Sequence, residues 1–289
     1  MAAGAGRFAP SPTGPPHLGS LLAATASFLD ARRAGVPWRV RMDDLDAPRN
    51  QPGAEGAILR ALEAHGLWWD GPVTRQSENL EAYESALLEL QTQGLVFFCD
   101  CTRSSLAGHA VYPGSCRDFR EFRPGCAMRV RVGGSTVEFE DLIRGHQQED
   151  LATSVGDFVV KRRDGIIAYQ LATAVDDGSS DIGRVIRGND LLPNTGRQLF
   201  LMDRLGLQRP IYGHVPILVN AQGQKLSKQT HADPLDPGSA AVNLLRVLRW
   251  LGLASVDLAA ESDCESLLRQ AVRSWSPGHL RSVAAIEIS

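Results

Sequence analysis

His17 follows a run of prolines and glycines and precedes an apolar segment, in the stretch GRFAPSPTGPPHLGS of residues 6–20. The apolar segment predicts a helix over residues 17–34, with this histidine at its start. Backbone N–H groups and the positive end of the helix dipole converge there, which suits a phosphate group. The alternative is a tight strand-to-helix turn with a surface histidine, because the Walker pattern of phosphate-binding loops is absent.

Lys225 and Lys228 lie three residues apart in GQKLSKQ, roughly 200 residues further along the chain. Such ammonium groups can stabilise a polyphosphate whose negative charge increases in a transition state. Taken alone, the pair could equally be two solvated surface side chains. Together with the turn before His17, it favours an ATP site.

Three of the five cysteines, Cys99, Cys101 and Cys116, fall within an 18-residue stretch. An odd cysteine number and this clustering fit a reducing compartment and a local metal site better than a disulfide framework. A tetrahedral zinc site needs one more ligand, for which Tyr112 and His109 are the candidates. The alternative is three reduced thiols without a metal.

The composition is that of an ordinary soluble domain, with 43% hydrophobic and 22% charged residues among 289. The net charge of −3 argues against a histone-like binder of nucleic acid. No run approaches the roughly 20 apolar residues of a membrane span, and no secretory leader is present. We therefore expect a cytoplasmic protein without membrane contact. We also expect a monomer.

The order of predicted elements indicates an α/β fold. The first helix is followed by a buried strand over residues 38–42 and by helices over residues 53–66 and 78–93, which is typical of parallel strands. From Val96 the chain becomes rich in turns, and AMRVRV, STVEFEDLI and DFVVKRRDGIIAYQLA read as antiparallel strands of an inserted segment. A loop and a helix are predicted over residues 185–205, then a strand in IYGHVPILVN, then helices to the end.

Three ordered motifs resemble those of class I aminoacyl-tRNA synthetases of the glutamyl/glutaminyl branch. RFAPSPTGPPHLGS is similar to their first signature, KLSKQ to their second, and DDGSSDIGRVIRGNDLL to the stretch between them. Ser20 stands where the commonest first signature has a second histidine, a variant that occurs in this branch. The resemblance implies attack of an amino acid's α-carboxylate on the α-phosphate of ATP, with Mg²⁺ neutralising the pyrophosphate.

The resemblance also implies roles for individual residues. The catalytic residues would be His17, Lys225 and Lys228, and the ATP contacts His17, Gly19, Ser20 and Lys228. The glutamate contacts would be Arg7, Phe8, Ala9, Pro10, Ser11, Asp43, Tyr169 and Arg187. Arginines suit the two carboxylates of glutamate and an acidic residue suits its ammonium.

Asp43 departs from the branch, which usually has glutamate at this position. Its carboxylate is one methylene shorter, which leaves a direct contact with the substrate ammonium open. With Asp44 and Asp46 it could also suggest a metal site, but the cluster lacks the glycine and distal glutamate of an EF-hand loop. A solvated strand end is the simpler interpretation.

Part of the branch binds zinc through a C-x-C…Y-x-x-x-C arrangement. The resemblance therefore favours Tyr112 over His109, with Cys99, Cys101, Tyr112 and Cys116 as ligands of one zinc per chain. The implied fold is a Rossmann-like parallel-sheet catalytic domain in two halves, with an inserted zinc-binding subdomain. The predicted boundaries are 1–95 and 185–235 for the catalytic halves, 96–184 for the insertion and 236–289 for a short helical C-terminal region.

Full-length synthetases of this branch continue into an anticodon-binding region, whereas about sixty residues follow Lys228. The chain therefore resembles the short members, without an anticodon-binding domain. These activate L-glutamate with ATP, without tRNA, and transfer it to queuosine at the wobble position in the anticodon stem-loop of tRNA(Asp). The alternatives are a truncated glutamyl-tRNA synthetase charging the 3′ end, a catalytically decayed tRNA-binding relative, and another nucleotidyl transferase of the superfamily.

Overall fold

The structure, a computed structural model, describes residues 4–119, 121, 123–179, 181–226, 233–253 and 263–288. The helices in this part are α1 Leu18–Arg33, α2 Ala54–Ala64, α3 Leu80–Thr92, α4 Leu151–Ser154, α5 Tyr169–Ser179, α6 Leu192–Arg204, α7 Ala240–Trp250 and α8 Cys264–Ser274. The strands are β1 Ala5–Phe8, β2 Trp38–Met42, β3 Thr74–Arg75, β4 Val96–Cys99, β5 Ala127–Val130, β6 Thr136–Asp141, β7 Gly145–Asp150, β8 Phe158–Lys161, β9 Ile182–Gly188, β10 Ile211–Val215, β11 Ile217–Val219 and β12 Ala285–Glu287.

The central sheet has the order β3-β2-β1-β9-β10-β6-β7. Neighbouring strands run parallel from β3 to β6, and β7 closes one edge as an antiparallel hairpin with β6. The mainly parallel α/β fold predicted from the sequence is confirmed. From β1 the chain continues to β2, which lies on one side of β1. The later strands β9 and β10 lie on the other side, so the strand order switches beside β1. Ligands of open α/β sheets bind at the carboxyl ends of the strands at such a point.

Helix α1 is the central helix of one face of this sheet. Most of its residues from Leu21 to Ala31 are buried, and it packs on β1 and β9 and against α7 and α8. The helix approaches the sheet closely at Gly6, where a Cβ atom would lie only 2.7 Å from the Cβ of Ala31. This close contact fixes the position of the start of α1 above the end of β1.

The segment predicted as an insertion contributes strands to two sheets. Strands β4, β5 and β8 form a separate antiparallel sheet, whereas the β6–β7 hairpin extends the central sheet. None of the helices in the described part of the chain combines the length and apolar character that a bilayer crossing requires.

Three local predictions were wrong. The strand predicted over residues 157–172 ends at Lys161, and α5 begins at Tyr169 because the apolar residues there recur at helical spacing. The loop predicted from Val185 is the inner strand β9, whose arginines are paired by distant residues. The C-terminal region is not wholly helical, since β12 pairs in parallel with β11.

Candidate active site and metal centre

A cleft at the carboxyl ends of β1, β2, β9 and β10 brings together most of the predicted site. Its lining includes Arg7, Phe8, Ala9, His17, Gly19, Ser20, Asp43, Tyr169, Arg187 and Lys225. Pro10 and Ser11 line a small neighbouring pocket instead, together with Phe8 and Ser20. Lys228 lies outside the described residues.

His17 is the N-cap residue of α1, as its position after the prolines predicts. Its Nδ1 accepts the backbone N–H of Gly19 at 3.1 Å. A nitrogen that accepts carries no proton, so the proton of the neutral ring lies on Nε2 and can be donated to an anion. A Cβ atom at Gly19 would lie 3.0 Å from Cε1 of this ring, so a larger residue would displace the histidine.

Lys225 reaches the cleft from the loop after β11. Its Nζ donates to Oδ2 of Asp190 at 2.6 Å, and both side chains are partly exposed. Ion pairs at such positions contribute little stability, so the ammonium can exchange the carboxylate for a phosphate. Asp190 thus pairs with Lys225 and not with Arg187, which lies three residues before it in the sequence.

Arg7 is held in the cleft wall by a buried network of charges. Its Nε and Nη2 donate to the two carboxylate oxygens of Asp177 at 3.1 and 2.6 Å. Arg41 donates to Oδ1 of Asp177 at 2.7 Å and to Oδ1 of Asp43 at 2.8 Å. Burial alone would raise the pKa of Asp177, but the charges of Arg7 and Arg41 outweigh it and hold that pKa far below its usual range.

Asp43 lines the cleft while its carboxylate contacts Arg41. Burial raises its pKa, and the charge of Arg41 opposes that shift only in part. Sequence reasoning missed Arg41 and Asp177. The two adjacent aspartates at residues 176–177 were the available signal, because buried carboxylates need cationic partners.

Arg187 is the penultimate residue of strand β9, and its hydrogen-bond partners are neutral side chains. Its Nε donates to Nε2 of His214 at 3.0 Å, and its Nη2 donates to Thr195 Oγ1 and Gln198 Oε1, both at 2.8 Å. No ion pair to Arg187 is present among the described residues, and its buried Nη1 has no hydrogen-bond partner there. The guanidinium therefore keeps an uncompensated positive charge and an unused donor beside the cleft.

His214 orients Arg187, although sequence reasoning missed it. Because its Nε2 accepts from Arg187, its proton lies on Nδ1 and is donated to Oδ2 of Asp141 at 2.5 Å. Burial is the main cause that lowers its pKa to about 4, against the opposing effect of Asp141. The ring is therefore neutral near pH 7, and only a neutral ring can accept the N–H of Arg187.

The three clustered thiols have the spacing of a metal site. The Sγ atoms of Cys99, Cys101 and Cys116 lie within 4.8 Å of one another, with 3.5 Å between the last two. A zinc ion about 2.3 Å from each sulfur in a tetrahedron would set them about 3.8 Å apart. The Tyr112 hydroxyl lies 3.5 Å from Cys99 Sγ and 4.0 Å from Cys101 Sγ, so it is a candidate for the fourth ligand.

His109, the other candidate, is exposed and lies outside this group of ligand atoms. Burial raises the pKa of the Cys101 thiol to about 11 and raises that of the Tyr112 phenol. A divalent cation in the centre would reverse both shifts by stabilising the anions. The three thiols are thus compatible with zinc, and the Tyr112 hydroxyl lies beside two of them.

Comparison with known proteins identifies the family. The family described as tRNA synthetases class I (E and Q), catalytic domain, matches residues 5–112 and 114–255. The chain belongs to this family. Membership in the class I synthetases makes it an enzyme of that kind, as the sequence predicts.

Bacterial relatives match this chain over almost its whole length. A protein of Thiobacillus denitrificans named glutamyl-Q tRNA(Asp) synthetase is 49% identical, covering 98% of this chain and 95% of the relative. A protein of the same name from Pseudomonas aeruginosa is 45% identical, covering 97% and 96%. Within the class I family, the chain belongs to the group that carries this name.

Solved structures of the class I family share the fold. A glutamate tRNA ligase from Elizabethkingia meningosepticum, in complex with its amino acid, gives a TM-score of 0.78 at 23% identity, covering 96% of this chain. A glutamate-tRNA synthetase from Elizabethkingia anophelis gives the same score and identity. The chain spans 66% and 67% of these two proteins, respectively.

Proposed function

We propose that the chain activates L-glutamate with ATP, without tRNA, and transfers the glutamyl group to queuosine in the anticodon of tRNA(Asp). The observation that carries this proposal is the uncompensated charge of Arg187, in a cleft that also contains the start of α1. A buried cation of this kind needs an anionic partner, and glutamate supplies a side-chain carboxylate. The names of the relatives support the same substrate.

In the first step an oxygen of the α-carboxylate bonds to the α-phosphorus of ATP, and the bond to the β-phosphate oxygen breaks to release pyrophosphate. His17 donates its Nε2 proton in a hydrogen bond to a phosphate oxygen, and Lys225 moves from Asp190 to the phosphates. We assign Lys228 the same electrostatic role. Mg²⁺ bound with ATP would supply charge neutralisation for the leaving pyrophosphate. In the second step the acceptor displaces AMP.

The cleft orients the substrate by dividing its charges. Arg187 would take the side-chain carboxylate, whereas Asp43 lies near enough to the cleft to attract the ammonium. Tyr169, about one third exposed at the first turn of α5, closes the wall between them. Because the phosphate groups meet preorganised donors, no nucleophilic side chain is required.

The proposed zinc, held by Cys99, Cys101, Tyr112 and Cys116, would organise the turn-rich part of the insertion over residues 96–184. The insertion would separate catalytic halves over residues 1–95 and 185–235. Metal analysis should give about one zinc per chain, as expected for one closed four-ligand site. Tyr112→Phe should lower the zinc content after dialysis against a chelator, whereas His109→Ala should not. Equal retention by both variants would remove tyrosine from the ligand set.

Two assays test the function. The first is ATP–pyrophosphate exchange with L-glutamate in the absence of tRNA, which should proceed. The second is transfer of labelled glutamate to tRNA(Asp) with and without queuosine, after periodate treatment to block the 3′ end. Label should appear only on the queuosine-containing tRNA. Loss of all label after periodate would instead support a glutamyl-tRNA synthetase that charges the 3′ end.

A further inference from the structure

A second concavity, here called the side groove, lies next to the cysteine cluster. Tyr112 and Phe158 contribute aromatic surface to it, and Arg129, Gln170 and Arg197 contribute polar groups. Tyr169 lines the candidate active site and the next residue, Gln170, lines the side groove. The first turn of α5 is therefore a wall shared by the two cavities.

Gln170 leaves an unused acceptor in this wall. Arg197 Nη2 donates to the side-chain oxygen of Asn194 at 2.6 Å, which identifies that atom as oxygen because arginine cannot accept. Gln170 must then turn its amide N–H₂ toward the same oxygen, also at 2.6 Å. Its Oε1 consequently points away from Asn194, is buried, and has no hydrogen-bond partner among the residues that the structure describes. An unpaired buried carbonyl costs about 1–3 kcal/mol and favours a ligand that donates.

The charge of the side groove is positive. Its acidic residue, Asp157, is already paired with Arg117 at 2.6 Å and accepts the N–H of Val132. The two arginines keep unused donors, since the Nε atoms of Arg129 and Arg197 have no hydrogen-bond partner in the described part of the chain. Arg129 lies over the ring of Tyr112, 4.1 Å from its centre, so the guanidinium covers this aromatic face and lies between it and the groove.

We propose that the side groove binds an unpaired nucleotide of the acceptor RNA, adjacent to the base that receives glutamate. This inference rests on the proposed function. A base can stack on the guanidinium plane of Arg129, Arg197 can pair with a phosphate, and Gln170 Oε1 can accept a base N–H. The shared wall at Tyr169 and Gln170 places such a nucleotide beside the aminoacyl site, so binding would orient the acceptor for transfer.

The test compares Gln170→Leu and Arg197→Gln with the matched control Arg204→Gln, an exposed arginine two turns further along α6. The substrate is a queuosine-containing anticodon stem-loop of tRNA(Asp). Each groove variant should raise the KM for this RNA at least about tenfold, with a change of less than about threefold in glutamate-dependent exchange. The control should match the wild type in both assays. A groove variant with the RNA KM of the control would overturn the inference.

A second measurement uses the wild-type protein, so its result does not depend on whether the variants fold. Photocrosslinking of the wild-type protein to a stem-loop with 4-thiouridine beside queuosine should label a peptide containing Tyr112 or Phe158. Labelling only of peptides outside the side groove would contradict the inference. If the wild-type protein shows neither exchange nor transfer, the proposed function itself fails, whereas an active enzyme with unaffected groove variants refutes only the side groove.

Discussion

Arg7 and Arg187 line the same cleft and are both buried, but they are held in opposite ways. Arg7 forms two hydrogen bonds with one carboxylate, Asp177, so its charge is neutralised inside the protein. Arg187 contacts a neutral histidine, a threonine and a glutamine, and none of these cancels its charge.

The difference separates stabilising residues from binding residues in one wall. A compensated pair such as Arg7 and Asp177 holds β1 against α5 and offers little net attraction to an anion. An uncompensated guanidinium has a desolvation cost that an arriving carboxylate can offset. We therefore expect Arg7 substitutions to affect folding and Arg187 substitutions to affect glutamate.

The largest effect on stability should come from Arg7→Met. It leaves the buried carboxylate of Asp177 with Arg41 alone, and the free energy of unfolding should fall by about 3 kcal/mol, the lower end for a broken buried pair. Urea unfolding at pH 7 measures this change. The double variant Arg7→Met, Asp177→Asn removes both charges and should recover at least half of the loss. A single variant as stable as the wild type would make the contrast invalid.

A smaller effect is expected when His214 no longer contacts Arg187. His214→Asn keeps a donor for Asp141 but loses the acceptor at Nε2, so Arg187 is less well oriented. The KM for glutamate should rise about tenfold, the equivalent of one hydrogen bond. His214→Gln, whose amide oxygen reaches the position of Nε2, should restore most of the affinity. Equal effects of both variants would indicate a packing role only.

The same histidine gives a pH dependence of stability. Its pKa in the folded protein is lowered to about 4, below the value of roughly 6.5 in an unfolded chain. The unfolded chain therefore takes up a proton first, and stability is lost as the pH falls from about 6.5 toward 4. In His214→Asn this part of the loss should be absent. Urea unfolding of both proteins across this pH range measures the difference. If the free energy of unfolding depends on pH in the same way for both proteins, His214 is excluded as the source.

The smallest effect on stability should come from Arg187→Met. It removes three hydrogen bonds but also an uncompensated buried charge, so the free energy of unfolding should change by about 1 kcal/mol or less. Thermal and urea unfolding under the conditions used for Arg7→Met measure it. A loss of stability as large as that of Arg7→Met would show that the two arginines contribute equally to the stability of the fold.

Local signals in the sequence were sufficient to predict two features, the start of α1 at the cleft and the cluster of three cysteines. Prolines and glycines before an apolar run predicted the start of α1 at His17, because helix starts depend on a few adjacent residues. The cysteine spacing likewise predicted that the thiols of Cys99, Cys101 and Cys116 lie together. Tyr112 was preferred to His109 because of the family resemblance. The position of its hydroxyl relative to the thiols depends on how the turn-rich segment folds.

The partners of the two arginines could not be predicted in this way. Asp177 lies 170 residues from Arg7, and His214 lies 27 residues from Arg187 on another strand. Only the strand order that places β9 between β1 and β10 brings these groups together. An isolated segment such as β9 likewise gives no sign that distant side chains will pair with its charges.

The central claim is that Arg187 is the residue that holds the carboxylate of glutamate. The direct measurement is the dissociation constant of L-glutamate, by titration calorimetry, for the wild type and Arg187→Met. We expect affinity to fall about a hundredfold, on the scale of one strong charged contact. Binding within about threefold of the wild type would contradict the account, since that is below the contribution of any charged hydrogen bond.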